Sequence, residues 1–188
     1  MKVSVWGDEL AAWVVAAQLA AFGNEVQLCA GEVWGRTEAG KSIYPSHKAI
    51  SAEPGLMELL QEGYGSGRLR AVPADEAFSA PVHWLGMAPD RLDEAVDLIR
   101  RIAEGGAKPC LVVNQSNFGI GASDRLQSLL DLDAGQAVVC LPDSLQEETR
   151  WRSSVSRMRC CSAARMSRRG VGCWGCSGPL PVPCARSS

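Results

Sequence analysis

The first 29 residues restrict the fold more than any other stretch. Lys2–Trp6 (KVSVW) is a short apolar run that Gly7 breaks. Glu9 to Phe22 is rich in Ala, Leu and Gln, the composition of a helix, and Gly23 stops it. Glu25–Cys29 (EVQLC) is apolar again. Strand, glycine turn, apolar helix and strand within about 30 residues describe a βαβ unit, whose two strands must be parallel neighbours or near neighbours in one sheet.

The rest of the body continues that alternation. After a weakly periodic connection from Ala30 to Pro54, a short helix is expected over Gly55 to Glu62, and strands over Leu69–Val72 and Val82–Leu85. Asp90 to Glu104 places Leu92, Ala95, Val96, Ile99 and Ile102 on one helical face. Pro109–Val113 and Ala137–Cys140 are further strands, with a helix between them over Gly121 to Leu130. Several of the strands are apolar throughout, as when helices cover both faces of a sheet. The expected fold class is α/β, a doubly wound parallel sheet.

Composition divides the 188 residues into two regions. All 21 acidic residues lie at or before Glu148, whereas from Thr149 onward eight arginines occur without Asp, Glu or Lys. The overall charge of −2 gives no reason to expect nucleic-acid binding. Ala11 to Phe22 is apolar enough to suggest a secretion signal, but Asp8 and Glu9 precede it. Gly23-Asn24 ends it short of the roughly 18 residues of a membrane span. A buried helix, no membrane association and a cytoplasmic location are therefore expected. Cys29, Cys110 and Cys140 fall within the predicted strands and read as small buried hydrophobes rather than disulfide partners. His47 and His83 lack metal-ligand spacing, so no metal site is expected, and His83 reads as a core or sheet-face residue.

A series of short motifs then follows in order. Met1-Lys2-Val3-Ser4-Val5-Trp6-Gly7 with Gly23-Asn24-Glu25-Val26 is similar to M-K-I-x-V-x-G-x-G-Y-V-G followed by G-H-x-V. Glu53-Pro54-Gly55-Leu56 matches E-P-G-L, and Gly67-Arg68-Leu69 matches G-R-L. Ser116 to Ala122 looks like S-T-V-P-V-G-T, and Leu141 to Glu147 looks like N-P-E-F-L-R-E. Over residues 1–147 the chain thus resembles the UDP-glucose/GDP-mannose dehydrogenases. That resemblance implies a Rossmann-like NAD-binding domain. Complete relatives oxidise a sugar C6 alcohol to a carboxylate on a nucleotide-sugar substrate and form homodimers through a helix beyond this region.

The resemblance also assigns roles. Gly7, Leu10 and Ala11 would line the cofactor pyrophosphate, and Arg36 is either a phosphate ligand or a solvated loop arginine. Asn117 stands where the family has a threonine that organises a water and the catalytic groups. Asp143 and Glu147 stand at the proton-transferring glutamate and at the glutamate beside the nicotinamide, so Asn117, Asp143 and Glu147 are the catalytic candidates. Departures accompany these matches. The three glycines of a dinucleotide turn align with Gly7, Glu9 and Ala12. Glu9 brings bulk and negative charge, with a repulsion of at most roughly 4 kcal/mol at 4 Å and an effective dielectric of 20. Asp8 and Glu9 alternatively cap the helix and offset its dipole. Ala30 replaces the ribose-binding acid, and Ala88 the threonine of V-x-T-P. NAD binding is accordingly expected to be weak or lost. The family's nucleophilic cysteine lies in a G-G-x-C-x-P-K-D segment that these 188 residues do not contain, so the chain alone is expected to be inactive.

Residues 148–188 are a separate basic, Cys- and Arg-rich tail. Thr149–Ser188 has no Ile or Phe and a single Leu, too little to offset its ordering entropy, so it is expected to be disordered. Cys173-Trp174-Gly175-Cys176 has neither a second metal-binding pair nor a thioredoxin-like context. The tail reads as out-of-frame translation. Restoring one base near codons 146 to 149 turns Gln-Glu-Glu-Thr-Arg-Trp (146–151) into Gln-Glu-Gly-Asn-Ala-Leu and every cysteine codon into Leu, Met or Val. A non-catalytic Rossmann-like binding module, or a non-functional product, is the alternative to an NAD-dependent oxidoreductase ancestry.

Overall fold

In the computed structural model the described residues are 1–30 and 53–141. They form β1 (Lys2–Trp6), α1 (Leu10–Ala21), β2 (Glu25–Cys29), α2 (Leu56–Gly65), β3 (Leu69–Ala71), α3 (Ala74–Ala77), β4 (Val82–Leu85), α4 (Leu92–Gly105), β5 (Cys110–Asn114), α5 (Ala122–Gln127) and β6 (Gln136–Cys140). The six strands make one sheet in the order β3-β2-β1-β4-β5-β6. Every adjacent pair is parallel. This is the doubly wound arrangement, in which the connections reverse direction between β1 and β4 and open a crevice at the carboxyl edge there.

The two faces of the sheet are covered by different kinds of helix. Residues 12–18 and Ala20 of α1 are all buried, so this helix has no solvent face. It packs against the sheet on one side and against Leu56 and Leu60 of α2 on the other, in one cluster with Val3, Val5, Val26, Leu28 and Trp84. Alanine makes such a sandwich possible, because short side chains let a helix approach neighbours on two sides. By contrast α4 is amphipathic: Ala95, Val96, Ile99 and Ile102 are buried while Asp93, Glu94, Asp97 and Arg100 face water. Those apolar residues meet Leu85, Cys110 and Val112 in a second cluster.

Three expectations need correction. Cys140 is exposed, unlike Cys29 and Cys110. It ends β6, the last strand of the sheet among the described residues, whose final two residues are exposed, so an apolar sequence there does not imply a covered site. The helix α3 was not anticipated, since four residues carry no periodicity. Strand β5 begins at Cys110 and runs to Asn114, one residue later at each end than the apolar run suggested. Among the described residues no helix is long and apolar enough to cross a membrane, and no cluster of His, Cys, Asp or Glu could hold a metal ion.

Candidate functional site

Gly7 follows β1 with φ of +126°, a conformation L side chains rarely adopt. A Cβ on Gly7 would overlap the carbonyl of Gly86, the residue that follows β4. Gly86 is equally confined, since a Cβ there would lie 2.9 Å from the Ala12 Cβ and 3.0 Å from its Cα. The turns are stitched to the sheet by Gly7 N–H donating to the Cys29 carbonyl (3.0 Å) and Gly86 N–H donating to that of Trp6 (2.8 Å). Gly7, Gly86 and Ala12 therefore bring two strand ends and the start of α1 into direct contact at the switch point. In this arrangement Ala12 does the work of the third glycine of a dinucleotide turn.

Beyond that contact α1 begins. Glu9 is its N-cap in extended conformation (φ −70°, ψ 156°), and its side chain makes no capping hydrogen bond. The Glu9 carbonyl instead accepts from Ala12 N–H at 2.9 Å. Asp8 is engaged elsewhere: its Oδ1 accepts from Nη1 of Arg91 at 2.7 Å. The expected side-chain capping by Asp8 and Glu9 is thus replaced by an ion pair and an exposed carboxylate. The N–H groups of Leu10 and Ala11 lie in the first turn, where an α-helix offers no intrahelical acceptor. Both residues are half-buried at the carboxyl edge.

On the β5 side, hydrogen bonds fix the loops. Met87 N–H donates to Ser116 Oγ (2.8 Å), and Ser116 N–H donates to Asn114 Oδ1 (3.1 Å). Asn114 Nδ2 donates to Ser123 Oγ (3.0 Å), while the Asn114 carbonyl accepts from Leu141 N–H (2.8 Å). Trp84 Nε1 donates to Gln115 Oε1 at 2.7 Å. Asn114, buried at the end of β5, thereby ties the exits of three strands together. Asn117 follows in this loop and is exposed. The strand it follows, β5, is separated from β1 by β4 in the sheet.

Beneath the turns, Trp6 Nε1 donates to His83 Nδ1 at 3.2 Å, linking β1 to β4. His83 is fully buried, as expected of a core residue. Burial pushes its pKa down to about 4, opposed by the Ala80 carbonyl, so the ring is neutral at pH 7. At the end of β2, burial pushes the Cys29 thiol up to about 12, with Glu76 adding to the shift, and the thiol is unreactive. Ala30 is buried and presents only a methyl group where a ribose acceptor would stand.

The structure therefore gathers Gly7, Leu10 and Ala11 at the switch point and places Asn117 along the same edge. Arg36, Asp143 and Glu147 lie outside the described residues, as do Cys173 and Cys176. Sequence reasoning missed Gly86 and Arg91. Gly86 was detectable, because Val82–Leu85 followed by glycine repeats the pattern of Lys2–Trp6 followed by Gly7. Arg91 was not, since its partner Asp8 is 83 residues away.

As to fit, the backbone of this crevice suits a dinucleotide: the turn is tight and the helix start approaches closely. The side chains suit it poorly. Exposed Glu9 adds negative charge at the rim, and neither Ala30 nor Ala88 has a polar side-chain atom to offer.

No family model matches the chain, and no curated protein sequence does. Solved structures do match in fold. They include a UDP-D-ManNAc dehydrogenase from Pyrococcus horikoshii (TM-score 0.65, 19% identity) and a UDP-glucose dehydrogenase from Pyrobaculum islandicum (0.64, 22%). A GDP-mannose dehydrogenase from Pseudomonas aeruginosa gives a TM-score of 0.62 at 22% identity. The matches cover 81%, 81% and 82% of this chain but only 38% of each relative. At these identities the likeness is one of architecture: the chain has the doubly wound, Rossmann-like fold found over about two fifths of these nucleotide-sugar dehydrogenases.

Proposed function

We propose that this chain is the cofactor-binding portion of a nucleotide-sugar dehydrogenase, with NAD binding much weakened and no turnover by the 188 residues alone. The contact of Gly7, Gly86 and Ala12 at the switch point carries the reading. It supplies the tight turn and the close helix–strand approach of a dinucleotide-binding turn, and the fold likeness to nucleotide-sugar dehydrogenases gives that arrangement its context. In such a site Gly7, Leu10 and Ala11 present backbone to the pyrophosphate, and Arg36 adds a cation from the following segment. Asn117, Asp143 and Glu147 supply the polar groups near the reacting carbon. NAD, when bound, would supply the hydride acceptor, while the protein positions it. A cytoplasmic location and a homodimeric parent protein belong to the same proposal, as does an out-of-frame origin for residues 148–188.

Glu9, Ala30 and Ala88 support the second reading, a binding module without catalysis. Calorimetric titration of NAD into the full chain separates the two. Under the leading reading the unmodified chain binds weakly, and Glu9→Gly tightens binding by about tenfold, a discounted fraction of the Coulomb bound because Glu9 is exposed. Adding Ala30→Asp tightens it further. NAD binding in the micromolar range, unchanged by Glu9→Gly, would show that Glu9 points away from the ligand. No binding by any variant would favour the non-catalytic module.

A further inference from the structure

Asp8 and Arg91 join the two loops that flank the crevice. Asp8 is one residue past Gly7, and Arg91 is the N-cap of α4, five residues past Gly86. Among the described residues that follow the carboxyl ends of the strands, Arg91 is the only basic one; Asp8, Glu9 and Asp90 are acidic. Its guanidinium is gripped from two directions. Nε and Nη2 donate to Glu94 at 3.0 and 2.6 Å, a local contact within the start of α4. Nη1 donates to Asp8 at 2.7 Å, the contact that crosses the crevice.

We propose that Arg91 is the anion anchor of this crevice and that the Asp8 carboxylate is an internal competitor, which the phosphates of a nucleoside diphosphate must displace. The inference rests on the dinucleotide-site reading above. Glu94 holds the guanidinium from behind, so exchange at Nη1 alone swaps carboxylate for phosphate without moving the arginine. Such a swap is feasible because the side chains of Asp8 and Arg91 are 52% and 28% exposed, and exposed pairs are weak. A diphosphate carries more negative charge than a carboxylate, so the charge-assisted bond it accepts from Nη1 can replace the one that Asp8 accepts. Arg91 would thus compensate for part of the repulsion that Glu9 introduces. Asp8 would hold Arg91 neutralised while no ligand is present.

The test is calorimetric titration of ADP into the full chain and into Asp8→Asn, Arg91→Gln and the double variant, with thermal melts confirming that each folds. Asp8→Asn should tighten ADP binding about threefold to fivefold, the worth of an exposed ion pair. Arg91→Gln should weaken it by about tenfold or more. In the Arg91→Gln background Asp8→Asn should gain less than it does with Arg91 present, because only its direct repulsion of the phosphates is left to relieve. An equal gain from Asp8→Asn with and without Arg91 would overturn the competitor role, leaving plain repulsion. ADP binding indifferent to Arg91→Gln would overturn the anchor while the dinucleotide site stands. Absence of ADP binding in every variant would overturn both.

Discussion

The turns after β1 and β4 meet at the same point, yet their side chains have opposite characters. Gly7 is followed by Asp8 and Glu9, both exposed. Gly86 is followed by Met87, which is buried, and Ala88, which is half-buried. Gly7 is confined by the carbonyl of Gly86, and Gly86 in turn by Ala12 at the start of α1. Folding therefore dictates the backbone of both turns, whereas only a bound ligand would dictate the solvent-facing residues beyond. Under the proposed reading, the first turn keeps the backbone frame of a dinucleotide site while its projecting side chains depart from one. A strand–glycine–helix pattern is evidence of architecture, and the residues projecting from it are separate evidence about binding.

The largest expected effect lies at the glycines. Gly7→Ala should destabilise the protein by about 4 kcal/mol or abolish folding, because it combines a forbidden φ with overlap of the Gly86 carbonyl. Chemical denaturation measures this, and an effect below about 1 kcal/mol would mean the two turns can separate freely.

Next in size is the tie beneath them. His83 is neutral in the fold with a pKa of about 4, against 6.5 when unfolded. Protonation favours the unfolded chain, so this contribution is complete above pH 6.5 and disappears as the pH falls towards 4. It amounts to about 3 kcal/mol. Glu94, held below its usual range by its hydrogen bond to Arg91, adds acid sensitivity only below 4.5, the ordinary value of a glutamate. Among the described residues the decline between pH 6.5 and 4.5 therefore reports His83, and His83→Gln should remove that part of it.

The exposed acidic residues of the first turn should matter less to stability. Glu9→Gly should leave stability within about 0.5 kcal/mol while tightening NAD binding, since glycine is acceptable at an N-cap. Asp8→Asn should change stability by no more than about 0.5 kcal/mol, as for any exposed ion pair. A loss of 2 kcal/mol in either variant would mean that the first turn depends on its acidic side chains.

Much of this architecture was legible in the sequence, for different reasons in different elements. The spacing of Ala95, Val96, Ile99 and Ile102 predicted the buried face of α4 directly. For α1, buried almost all round, no periodicity exists to read, and the helix was legible only from composition and its glycine stop. Cys140 was misjudged because an apolar strand does not reveal whether a neighbour covers it. Gly7 was recognisable within a local pattern, but the pairing of Asp8 with Arg91 depends on topology bringing two distant turns together. The catalytic candidates divide similarly: Asn117 has a described, exposed position, while Asp143 and Glu147 rest on the family resemblance alone.

The most direct test of a switch-point site is to follow the backbone amides of the full chain by NMR while NAD is added. If the account is right, the shifts concentrate on Gly7, Leu10, Ala11, Gly86 and Met87, and they grow at a given NAD concentration in Glu9→Gly. Shifts centred away from those residues, on the exposed edge of β6 for example, would contradict it.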